Sequence, residues 1–140
     1  MRTDLPDVNV LVALHVAGHP HRRIAQAWFD AADCVGTTPV TQAGLLRMLL
    51  NPTINAHPEP ALALRAVRAL LAAPGVVSWP DDTRNVADIP FMYALTGHRQ
   101  VTDLHLLAVA ATRGARLVTL DSRIEGALRP TDLKHLHVLR

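Results

Sequence analysis

Short, nearly continuous apolar runs alternate along the chain with longer stretches in which apolar residues recur every three or four positions. The continuous runs "CVGTTPV" (34–40), "VVSW" (76–79), "ARLVTLD" (115–121) and "LHVLR" (136–140) read as buried strands, and a very short strand is expected to end near Asp7. The periodic stretches read as helices. In "RRIAQAWFDAAD" the apolar side carries Ile24, Ala27, Trp28 and Ala31, and "TQAGLLRMLLN" ends at Asn51-Pro52, where proline disfavours helix in the residue before it. "PEPALALRAVRALLAAPG" is opened by prolines, places Leu62, Ala66, Ala69 and Leu70 on one side, and stops at Pro74-Gly75. In "TDLHLLAVAATRG", Thr102 is the expected N-cap and Gly114 the C-terminal stop; in the apolar helix after Asp7, Asn9 is the expected cap, with a hydrogen bond to Asp7 or a bound water as its other reading. Pro90 breaks any long helix between 80 and 100.

Strands that alternate with helices imply right-handed crossovers and a mainly parallel sheet covered on both faces, an α/β three-layer sandwich. Sheets of this kind bind ligands outside the carboxyl ends of their strands. Asp7 ends the first strand, Asp121 ends a later one, and Asp103 opens the helix that leads into it. All three can therefore reach one edge.

Composition narrows the class further. At 140 residues, without linker, repeat or low-complexity segment, the chain is expected to be a single domain spanning 1–140. Its one cysteine, Cys34, supports neither an internal disulfide nor a zinc pattern, which fits a cytoplasmic setting. The N-terminal apolar run is short and interrupted, unlike a signal peptide or membrane span. The net charge is +2, carried by thirteen arginines and the single lysine Lys134. Arginine suits bidentate contacts with phosphate, so the balance permits a nucleic-acid partner; it equally suits a solvated surface.

Three converging aspartates raise an electrostatic problem. Two like charges about 4 Å apart repel by about 4 kcal/mol at an effective dielectric of about 20, so the group must take up protons or a counter-charge. A hard divalent cation such as Mg²⁺ satisfies it and leaves coordination positions for water and phosphate oxygens. Singly, Asp103 also reads as a first-turn acid favoured by the helix dipole, and Asp121 as a turn residue after a strand.

The blocks "LPDVNVLVAL", "TPVTQAGLLRML", "VTDLHLLAVAATRG" and "RLVTLD", in that order, resemble those of PIN-domain ribonucleases, and most closely the VapC-type toxins of bacterial toxin-antitoxin systems. The resemblance implies a PIN-like α/β/α sandwich and an endoribonuclease dependent on Mg²⁺, with Mn²⁺ as the alternative ion. It also implies an RNA substrate, inhibition by a VapB-type antitoxin, and a homodimer. It assigns catalytic and metal-holding roles to Asp7, Asp103 and Asp121. A further family acid, a glutamate three residues after a threonine, is absent: Thr41 and the following Arg47 match, but Gly44 stands between them. Weaker metal binding is expected, with Gln42 or Asp4 as substitutes to be tested.

Thr119 has two readings, a residue facing the acids or an ordinary strand threonine. Trp28 and Trp79 read as core. The histidines, including His19, His21 and His105, lack a metal-ligand spacing, and Arg123 is the arginine placed at the mouth of the site. Two other functions compete with the nuclease. A phosphohydrolase built on Asp7 would need a second acid where Asn9 stands and a nearby lysine. A PIN-like RNA- or protein-binding module would retain the fold and lose turnover for want of an acid at position 44.

Overall fold

The strands are only three or four residues long, too short to be stable outside a covered sheet. The computed structural model describes residues 1–140 and contains five parallel strands: β1 (Thr3–Pro6), β2 (Cys34–Thr37), β3 (Val76–Ser78), β4 (Arg116–Thr119) and β5 (Leu136–Val138). They lie in the order β3-β2-β1-β4-β5. The chain moves outward from β1 through β2 to β3, then returns to the other side of β1 as β4, pairing Leu5 with Leu117 and Pro6 with Val118. That reversal leaves a crevice at the carboxyl ends of β1 and β4.

Helices α1 (Val8–His15), α2 (Arg22–Ala31), α3 (Pro39–Leu49), α4 (Pro60–Ala72), α5 (Val101–Thr112) and α6 (Arg123–Ala127) complete the fold. Strand alternation sends Leu5 and Leu117 into a core with Leu104, Leu107 and Val109 of α5, and sends Val35 and Val118 into a second core with α1 and Trp28 of α2. A third cluster joins Leu11 of α1 to Leu45 of α3 and Leu70 of α4. The sandwich expected from the sequence is the one observed. The segment 80–100 contains three short 3₁₀ turns, the last running directly into α5, and Ile89, Phe91 and Ala94 around the first two are buried in the core that includes α5.

Several local expectations need correction. Asp7, not Asn9, is the N-cap of α1: its backbone is extended and its carboxylate accepts the Val8 N–H at 2.6 Å. Helix α3 starts at Pro39 because Thr38 and Thr41 exchange side-chain and backbone hydrogen bonds around a proline in the first turn. Helix α5 starts at Val101, continuing a 3₁₀ turn (His98–Gln100), so Thr102 lies within it and caps nothing. Helix α4 buries Ala63 and Leu70, while Leu62 is exposed. Of the expected stripe, Leu70 is buried and Ala66 packs against the core, whereas Leu62 and Ala69 are exposed and Ala63 and Val67 turn inward instead. Gly114, at φ 64°, does end α5.

Asp4 is fully buried and contributes to the fold away from the crevice. Its carboxylate accepts Trp28 Nε1 at 2.8 Å and two bonds from the Arg116 guanidinium at 3.0 and 3.2 Å. It is therefore no substitute for the missing fourth acid. Trp79 is only partly buried; it occupies the space beside Gly36 and lies under Arg113, whose guanidinium carbon is 5.0 Å from the ring centre.

Candidate active site

The crevice between β1 and β4 is built around Asp7. Its backbone N–H donates to Val118 O at 2.8 Å, fixing the residue just beyond the last paired position of β1. Besides the Val8 N–H, the carboxylate accepts the Thr119 hydroxyl at 3.1 Å. Thr119 in turn accepts the Asn9 side-chain amide at 3.1 Å and the Asp121 N–H at 3.1 Å, while Asn9 Oδ1 accepts the Leu120 N–H at 3.2 Å. Asn9 thus joins the first turn of α1 to the end of β4. Thr119 does face the acids, and it is 2% exposed.

Asp103, in the first turn of α5, brings its carboxyl group to Asp7. Burial, then the charges of Asp7 and Asp121, push the Asp103 carboxyl up to about 7. Asp7 is also raised, chiefly by burial, although its bonds from Val8 and Thr119 act in the opposite direction. Asp121 differs: hydrogen bonding to Arg123 holds it below the usual carboxylate range. Arg123 Nε lies 3.0 Å from both Asp121 oxygens and its terminal nitrogen 2.6 Å from Oδ2. The three sequence candidates therefore share one crevice in two different states. Asp7 and Asp103 form a pair in need of a proton or cation, and Asp121 already has a partner.

Hard carboxylate oxygens in a pair that resists double ionisation are suitable donors for a small divalent cation. No cluster of three or more potential ligands is preassembled as a cage. Recruiting Asp121 would require Arg123 to release it.

The position of the absent acid has a steric explanation. A Cβ added at Gly44 would lie 2.5 Å from Val8 Cγ2. Helix α3 approaches α1 through that glycine, and Val8 fills the volume that a longer side chain would need. Gln42 does not compensate: it donates to Thr37 Oγ1 at 3.1 Å and Ser78 Oγ at 3.3 Å, at the ends of β2 and β3. Arg47 lies on the same cleft as Asp7, Gly44 and Asp103. His105 is turned to Asp81, 3.1 Å away.

Comparison with known proteins bears on this arrangement directly. Residues 5–127, which include every acid of the crevice, match the family described as PIN domain. The chain is 40% identical over 126 residues to Ribonuclease VapC39 of Mycobacterium tuberculosis, covering 87% of this chain and 91% of that one. It is 41% identical over 124 residues to Ribonuclease VapC38 of the same organism, covering 86% of each. The chain is a VapC-type PIN-domain protein. The fold of this PIN domain is similar to that of VapC20 of Mycobacterium tuberculosis, described as a sarcin-ricin loop cleaving toxin. The TM-score is 0.63 at 15% identity, over 89% of this chain and 94% of VapC20. No helix of the PIN domain is long and apolar enough to cross a membrane.

Asn9 and Thr119 were the residues whose roles the sequence left open. The signal for Thr119 was its place two positions before Asp121 at a strand end. Nothing local to Asn9 distinguishes a cap from a residue reaching a strand 110 positions away.

Proposed function

We propose that this PIN-domain protein is a metal-dependent endoribonuclease toxin that hydrolyses RNA phosphodiester bonds, with Asp7, Asp103 and Asp121 as its catalytic carboxylates. The observation that carries the reading is the Asp7–Asp103 pair at the carboxyl ends of the central strands, with Asp103 held to about 7. The names of its relatives as ribonucleases supply the reaction class.

Asp7 and Asp103 would hold the ion, with Asp121 completing the set. When bound, Mg²⁺ or Mn²⁺ neutralises charge on the phosphate and lowers the pKa of water for in-line attack. The chain supplies the orientation. Val8 N–H and Thr119 Oγ1 fix the Asp7 carboxylate, and Asn9 fixes Thr119. Arg123, 59% exposed along its side chain, holds Asp121 and stands ready to take a substrate phosphate when Asp121 turns inward. A VapB-type antitoxin belongs to the same reading: a partner cation entering between Asp7 and Asp103 would relieve the same repulsion and close the crevice. A homodimer in the cytoplasm is its expected setting.

The test is cleavage of total RNA by the purified protein with Mg²⁺, Mn²⁺ or EDTA, beside Asp7→Asn and Asp103→Asn. Discrete fragments lost with EDTA, and reduced about a hundredfold or more in either variant, are expected. Asparagine also caps helices well, so Asp7→Asn keeps the start of α1. The crowding of Gly44 by Val8 favours a second reading, a PIN-like module that binds RNA or protein with weak turnover. Equal, metal-independent behaviour of wild type and variants would select it.

A further inference from the structure

Two clefts meet at Val8. One contains Asp7, Asp103 and Arg47. The other is a cavity of about 620 Å³ between α1, the loop after it and the segment that follows α3, with Asp121 at its end. Its floor is apolar, formed by Val12, Met48 and Leu120, and its rim carries His19 and Thr53. The volume falls within the range of small-ligand sites, and an apolar floor under a polar rim suits a flat heterocycle with polar edges.

His19 is held in one tautomer. Its Nδ1 accepts the His21 N–H at 3.1 Å, so the neutral ring carries its proton on Nε2, where it can donate to a ligand. Burial, then the charge of His21, keeps His19 below the usual histidine range and thus neutral at pH 7. On its far side His19 borders a shallow surface with Arg22 and Arg23, both exposed. A polyanion running from the carboxylates past His19 would therefore meet guanidinium groups on leaving.

We propose that this cavity receives the nucleobase next to the cleaved phosphodiester bond, splayed out of its stack. The proposal rests on the ribonuclease reading. A base inside a duplex is stacked and paired on both sides, so only an unpaired nucleotide can turn into a pocket beside its own phosphate. Packing against the apolar floor tolerates different bases; Nε2 of His19 and the Thr53 hydroxyl, at the rim, then discriminate among their edges.

The experiment measures binding of end-labelled single-stranded hexaribonucleotides by anisotropy in EDTA, with one abasic nucleotide moved along the sequence. Wild type is compared with His19→Ala and with Thr53→Trp, which covers the rim from an exposed position. One or two adjacent abasic positions should weaken wild-type binding by about tenfold, and binding to either variant by less than about threefold. A response that is the same at every position in wild type overturns the base pocket, and points instead to an apolar side chain of a protein partner. Cleavage of the same oligomers with Mn²⁺ separates the two levels. Position-dependent binding without cleavage would sink the nuclease and keep the base pocket; cleavage with flat binding would do the reverse.

Discussion

Asp103 retains its proton to about 7 because it is partly buried beside two other carboxyl groups. An unfolded chain releases that proton near 3.8, so between these values the folded protein binds more protons and its stability falls as pH rises. Metal-free wild type should lose roughly 1–2 kcal/mol of unfolding free energy between pH 4 and 7.5, after allowance for the water-exposed part of the group. Asp103→Asn should flatten that slope in urea titrations; an unchanged slope would remove Asp103 as its source. Gly44 presents a different single-residue question. Gly44→Glu should cost about 1–3 kcal/mol through collision with Val8, and Val8→Ala in the same chain should recover much of it. Additive losses in the double variant would show that Val8 is not the obstacle.

Between elements, the link from α1 to β4 is the least legible feature of the sequence. Composition and apolar period suffice to place a parallel sheet and the strand-end aspartates, because burial dictates those patterns locally. They do not show that Asn9 spans from the first turn of α1 to Thr119 and Leu120, since that pairing exists only after β1 and β4 align. The same reason accounts for the start of α5. Thr102 resembles a cap, but the preceding 3₁₀ turn already sets the helix direction. In α4, every candidate for the inward stripe is alanine, leucine or valine, so the period alone does not fix which of them turn inward. Asn9→Ala should lower stability by about 2 kcal/mol, because the Leu120 N–H then loses its partner. A melting temperature equal to that of wild type would show that the link carries no load.

At the scale of the molecule, charge is distributed to two ends with different purposes. At one, Asp4 is neutralised by Arg116 and bonded to Trp28, so its burial serves the packing of β1, β4 and α2. At the other, Asp7 and Asp103 are in no salt bridge, although Arg47 lines their cleft, while Arg123 pairs with Asp121. That contrast explains why two acids three residues apart in one strand and its cap have opposite roles. It also gives the central claim, that the crevice is shaped to gain a cation. The most direct measurement is the melting temperature of wild type, Asp103→Asn and Asp4→Asn with and without Mn²⁺ at pH 7.5. Binding to the folded form alone must raise the transition, by about 2.7 kcal/mol at a hundred times the dissociation constant. The account predicts a clear rise for wild type and for Asp4→Asn, which should start from a lower value, and little or none for Asp103→Asn. An equal rise in all three, or none in wild type, would contradict it.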